Sequence, residues 1–132
     1  MDKCKTKELI LDLFGVEADH PFAGDPGISV FRHASNNKWF GVIMSVPKNR
    51  LGLSGDEAVD IINLKCPKEI IYSVTGEDGI FPAYHMSKTN WISVLLDGTV
   101  DSDTLKWLLS ISFDATMQKK SKRPLENTRG LC

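Results

Sequence analysis

One stretch constrains this chain more than any other: residues 79–98, GIFPAYHMSKTNWISVLLDG. Its second half alternates Ile92, Val94 and Leu96 with Ser93 and Leu95 and closes on Asp97-Gly98. That is the pattern of a short buried strand. Pro82 lacks a donor and biases its neighbours towards irregular backbone, so residues 79–90 read as a loop. His85, Met86, Ser87, Lys88, Thr89 and Asn90 then gather polar side chains just before Trp91. A polar loop on a rigid strand is a common place for function.

The rest of the chain must supply partners for that strand. Ile28–Ala34 alternates apolar and polar residues, Ser35–Lys38 is rich in turn formers, and Trp39–Val46 returns as a second strand, so these segments predict a β-hairpin with a basic, asparagine-rich tip. Pro47 ends it, Lys48–Asp56 is a polar connection, and Val59–Leu64 is a third strand. Three helices are predicted. The first is capped by Thr6 and runs to Phe14, with Leu9, Ile10, Leu13 and Phe14 on one stripe and Gly15 in the left-handed position after it. A short one opens at Cys66-Pro67, and Gly76 stops it. The last starts at Asp101 and Asp103 and carries an apolar face of Leu105, Leu108, Leu109, Ile111, Phe113 and Met117. Residues 17–27, with two prolines and two glycines, are a loop with Phe22 tucked beneath it.

At 132 residues the chain is one domain able to build its own core. The organisation expected is a folded unit over 1–118 and a flexible basic tail over 119–132. Cys4, Cys66 and Cys132 are odd in number and widely spaced, which indicates free thiols rather than a disulfide framework or a zinc site. The stretch MDKCKTKELILDLF lacks the apolar block of a signal peptide, and a cytoplasmic location is expected.

The net charge of −1 conceals a division. The tail carries five basic residues against Glu126, so residues 1–118 hold 11 basic and 16 acidic side chains, a balance of −5. Between Asp25 and Asp56 there is no acid, only Arg32, Lys38, Lys48 and Arg50, and a second acid-free span, Ile80–Leu96, contains Lys88. The strands and their loops are basic while the acids lie mainly on helices, an asymmetry able to draw a polyanion to one face.

VFRHASNNKWFGVIMSVP at 30–47, NLKCP at 63–67 and PAYHMSKTNWISVLLDG at 82–98 together resemble the MmcQ/YjbR family, from about Leu9 to Ala115. In the third motif Tyr84, His85, Met86, Ser87, Lys88, Trp91, Asp97 and Gly98 match the family in register; it commonly has asparagine at the position of Ser87 and histidine at that of Asn90. The resemblance implies an α+β fold of frataxin/CyaY-like type: an antiparallel β-sheet covered on one side by the N- and C-terminal helices, with hairpins likened to a double wing. It also implies DNA binding, a label that rests on fold analogy. Frataxin handles iron on an acidic first helix, but here that helix offers only Glu8 and Asp12, so no metal or other cofactor is expected.

The expected function is therefore weak, salt-dependent binding of nucleic acid, DNA foremost, through Arg32, Lys38, Lys48, Arg50 and Lys88, with Lys88 on phosphate and His85 as a hydrogen-bonding neighbour. Each feature also has a structural reading: His85 and Ser87 satisfy backbone groups, Trp91 fills an edge, and the hairpin cations keep an exposed edge soluble. The alternative function is a protein- or small-ligand-binding module that uses an exposed sheet face with Trp39 and Trp91 as anchors. An enzyme is not expected. There is no G-x-S-x-G or P-loop, and His20, His33 and His85 are widely separated.

Overall fold

The structure, a computed structural model, describes residues 1–117, so the expected basic tail lies outside the described residues. The elements are α1 (Lys3–Phe14), β1 (Ser29–Arg32), β2 (Trp39–Pro47), β3 (Ala58–Lys65), α2 (Lys68–Val74), β4 (Ile80–Pro82), β5 (Trp91–Leu95) and α3 (Ser102–Thr116), with a 3-10 turn at Lys48–Leu51. The strands form one antiparallel sheet in the order β1-β2-β3-β5-β4, an α+β architecture as expected.

Two elements depart from the sequence reading. Ile80–Pro82 is a strand, not loop, pairing Ile80 with Val94 and Pro82 with Ile92. It is one of the two edge strands, where a residue without an N–H is tolerated. Helix α1 begins earlier than Thr6: Asp2 is its cap, accepting from the Lys5 N–H at 2.8 Å, while the buried Thr6 hydroxyl donates to the Asp2 carbonyl. Gly15 ends α1 in the left-handed conformation (φ 68°), where a side chain would be strained.

The helices lie on one side. Ile10 of α1 and Leu105, Leu108 and Leu109 of α3 pack on Phe31, Phe40, Ile43, Ile62, Leu64, Ile92 and Val94 of the sheet. Phe14 and Phe113 stack with ring centroids 4.2 Å apart, and both meet the Phe40 ring edge-on. The opposite face was expected to be exposed. Instead Val30, Val42, Met44, Val46, Ile61 and Leu95 form a second buried cluster there, roofed by Ile28, Leu51, Leu53 and Tyr84 from the connecting loops. Burial on both faces explains why β2 and β5 are almost continuously apolar.

At one end the sheet opens. The pairing of β1 with β2 passes from Phe31–Gly41 to Arg32–Trp39, so Phe40 is an extra residue in a β-bulge. The bulge turns Phe40 into the helix-side core while Trp39, like Val42, faces the opposite side. Beyond Gly41–Leu64 the next rung of the β2–β3 ladder would join Phe40 to Lys65. The buried Ser112 of α3 stands there instead, donating to the Phe40 carbonyl at 2.5 Å and accepting from the Lys65 N–H at 2.9 Å.

Candidate nucleic-acid interface

Where Ser112 holds β2 and β3 one hydroxyl apart, Lys38, Trp39, Lys65, Trp91, Ala115 and Thr116 line a cleft of about 310 Å³. Both tryptophans are half-buried. Lys65 is paired with Trp91 across β3 and β5, and its ammonium lies 5.7 Å from the centroid of the Trp91 ring, within cation–π range. Phe22, expected to be tucked under its loop, stays 39% exposed and meets Trp39 edge-on at 6.0 Å. The cleft offers aromatic faces flanked by cations, and no acidic side chain lines it.

The hairpin tip beside the cleft is fixed by α3. Asn36 donates to the Thr116 carbonyl at 3.0 Å and accepts from the Lys38 N–H at 2.8 Å, and Asn37 takes a left-handed φ of 62° that asparagine tolerates. The asparagines are thus structural. His33, 4% exposed, packs against both the Phe40 and Phe113 rings with its Nε2 2.8 Å from the Thr116 hydroxyl. That hydroxyl directs its proton at the Ser112 carbonyl, so the neutral ring carries its hydrogen on Nε2. Burial pushes the pKa of His33 below its ordinary value, against a smaller opposing effect of the Phe113 backbone.

The motif loop is mounted on the sheet by two buried polar residues. Asn63 and Ser93 pair across β3 and β5; the Ser93 hydroxyl accepts from the Tyr84 N–H at 2.9 Å and donates to Asn63, whose amide donates to the Tyr84 carbonyl at 3.0 Å. Beyond Tyr84 the chain turns sharply. His85 has a φ of 63° and its exposed ring lies 4.0 Å from that of Tyr84. Lys88 donates to the Ala83 carbonyl at 3.0 Å, and the Ser87 carbonyl accepts from the N–H groups of Asn90 and Trp91. Ser87 and Asn90, the two positions that differ from the common motif, touch each other at 3.4 Å. Asp97 and Gly98 make the turn after β5: Asp97 accepts from the Thr99 N–H, and Gly98 has a φ of 94°.

The five basic residues singled out in the sequence do not form one group. Arg32 is ion-paired with Asp19, and Lys48 lies 3.8 Å from Glu57. Arg50 and Lys88 meet beside Tyr84 around a small cleft of about 240 Å³. Lys38 stands at the tryptophan cleft. Sequence reasoning missed Lys65, which joins it there, because a lysine ending an apolar strand reads as a boundary residue; the useful signal is its strand parity with Trp91, legible only once β3 and β5 are known to pair.

One group of acids sits at the far end, while Asp19 is held near the open end by Arg32, the register partner of Trp39, and Asp114 precedes the cleft-lining Ala115. The register that joins Lys65 to Trp91 joins Ile61 to Leu95 at the opposite end, where Asp60 continues β3 and Asp97 follows β5. Glu77, Asp78 and Asp101 line a crevice near that end. Lys38, Lys65 and Lys88 stand at the end where the sheet opens, away from Asp60, Asp97, Glu77, Asp78 and Asp101. Among the described residues no group of histidine, cysteine and carboxylate side chains is placed to hold a metal ion, and no helix is long and apolar enough to cross a membrane.

Fold and cleft define a small α+β domain with one antiparallel sheet, helices on one face and a tryptophan–lysine cleft at one end. The YjbR family matches residues 11–115, and the chain belongs to that family. It is 39% identical over 107 residues to the uncharacterized protein YyaQ of Bacillus subtilis, covering 81% of this chain and 91% of that one. The crystal structure of a Pseudomonas syringae protein superposes with a TM-score of 0.86 at 36% identity over 89% of this chain and 100% of that one. Deinococcus radiodurans protein DR2400 shares the fold, with a TM-score of 0.63 at 22% identity over 85% of this chain and 75% of that one.

Proposed function

We propose that this protein is a non-catalytic nucleic-acid-binding module and that it takes single strands at the open end of its sheet. The observation that carries this reading is the gathering of Lys38, Trp39, Lys65 and Trp91 around one cleft free of acidic side chains. Bases stack on aromatic side chains whatever their sequence, each worth about 1–3 kcal/mol, while neighbouring cations hold phosphates. A duplex hides those base faces, so single strands bind in preference. DNA and RNA both present the required chemistry. The body charge of −5 is eased at the cleft because Asp60, Asp97, Glu77, Asp78 and Asp101 stand towards the other end of the strands and no acidic side chain lines the cleft.

The test is a fluorescence-anisotropy titration of labelled single-stranded and duplex oligonucleotides at about 50 and 200 mM salt. With about four phosphate contacts, single-strand affinity falls roughly 50-fold between the two salts. The double variants Trp39→Ala/Trp91→Ala and Lys38→Ala/Lys65→Ala should each weaken binding, the second also flattening the salt dependence. Binding that survives both but vanishes in a chain ending at Gln118 would assign it to the basic tail instead.

A further inference from the structure

Helix α2 begins three residues after Lys65, and the motif loop closes against the same junction, the Asn90 carbonyl accepting from the Cys66 N–H at 2.8 Å. Lys68, Ile71, Tyr72 and Thr75 of this helix, with Lys88 and Thr89 of the loop, line a cleft of about 380 Å³. Tyr72 is 89% exposed, the most exposed of the large hydrophobic side chains among the described residues. Its seven-residue helix buries Val74 and half-buries Ile70 and Ile71, so Tyr72 contributes little to holding the helix down. Two lysines, Lys68 and Lys88, line the same cleft as the ring, and no acidic side chain does. The Lys88 ammonium is steadied by the Ala83 carbonyl, which uses one of its three donors.

We infer that this α2 surface is a second station of the same site, where Tyr72 stacks a further base of a bound single strand and Lys68 and Lys88 hold its phosphates. The inference rests on the nucleic-acid reading of the tryptophan cleft. The two clefts are joined through the chain itself: Lys65 leads to Lys68 and Tyr72 on one side, and Trp91 follows Lys88 and Thr89 on the other. A strand leaving Trp91 towards this junction meets a second aromatic face flanked by positive charge. The ligand class is an oligonucleotide longer than one cleft can hold.

The experiment compares oligothymidines of about 4 and about 12 nucleotides, a span of common single-strand site sizes. Anisotropy is read at one salt concentration on the full chain, wild type and carrying Tyr72→Ala, Tyr72→Phe, Lys68→Ala or Trp91→Ala, with circular dichroism as the check on folding. The wild type should bind the longer strand more tightly. Tyr72→Ala should reduce that length advantage about 10-fold, Tyr72→Phe should keep it because the ring remains, and Lys68→Ala should reduce it by a smaller factor. If Tyr72→Ala matches the wild type while Trp91→Ala weakens binding, the second station is wrong and the tryptophan cleft stands. If the wild type binds neither oligonucleotide, both readings fall.

Discussion

Asn63 and Ser93, fully buried and paired across β3 and β5, together satisfy both polar backbone atoms of Tyr84. Two polar side chains inside an otherwise apolar sheet face are tolerable only because each bonds the other as well as the loop. The arrangement couples the sheet to the motif loop. It sets where Lys88 and Trp91 emerge, and so links a packing decision to the candidate site.

Removing either partner orphans one Tyr84 backbone atom and the one polar group of the other partner that it met: the Tyr84 carbonyl and the Ser93 hydroxyl proton without Asn63, the Tyr84 N–H and the Asn63 side-chain oxygen without Ser93. Asn63→Ala and Ser93→Ala should each destabilise the fold by about 1–3 kcal/mol, read as a lower urea midpoint with unchanged slope. The double variant should cost less than the two single losses added together, since the second substitution removes a group already orphaned. Strict additivity would mean that the two residues act separately.

Acid should weaken the fold in a window set by His33. Its folded pKa lies below the ordinary value of 6.5, so on acidification the unfolded chain takes up a proton that the folded chain resists. Stability is therefore full above about pH 6.5 and declines as pH falls towards the folded pKa. Asp97 and Asp101 act lower. For Asp97, burial raises the carboxyl pKa, but hydrogen bonds from Thr99 and the charge of Lys48 outweigh it; for Asp101, the Thr104 N–H is the main lowering influence. Their contribution is lost below about pH 4. Urea midpoints at about pH 7.5, 6.5 and 5.5 should fall in that order, and His33→Gln should flatten the trend.

The helices, the hairpin and the alternation in β5 were legible because each is written in local periodicity: Ile92 and Val94 do face the helices, and Leu95 the other side. β4 was not, since three residues ending in proline carry no period, and only pairing with β5 makes them a strand. The second buried cluster was hidden for a related reason. Loops rather than a helix roof it, and loop packing depends on which strands neighbour one another. The candidate site was half-visible. Lys38, Trp39, Lys88 and Trp91 stood out as residue types, but their grouping, the neutralisation of Arg32 by Asp19 and the entry of Lys65 all depend on the order β1-β2-β3-β5-β4.

Cys66 should be chemically silent until the fold opens. It is 2% exposed, and burial pushes its thiol pKa up to about 11, which suppresses the thiolate that reagents attack. In a Cys4→Ser/Cys132→Ser chain the remaining thiol should resist labelling at pH 8 for as long as the protein stays folded, then react fully in denaturant. Prompt labelling under native conditions would show that the β3–α2 junction opens readily, which would also loosen the cleft beside it.

Ser112 offers the most direct way to change the cleft without touching its lining. Its hydroxyl takes the place of the rung between Phe40 and Lys65, and Thr116, one turn later, bonds back to the Ser112 carbonyl while meeting His33. Ser112→Ala leaves the Phe40 carbonyl without that donor and the Lys65 N–H without that acceptor. If the strands stay apart, the loss should be about 1–3 kcal/mol for each buried orphan. If they close and bond directly, stability should recover, but Trp39 would move towards Lys65 and Trp91 and narrow the cleft. Urea unfolding combined with amide exchange at Lys65 separates the two outcomes: low stability with fast exchange marks strands held apart, near-normal stability with slow exchange marks closure. In the second case the nucleic-acid reading expects oligonucleotide affinity to fall even though every cleft residue is intact.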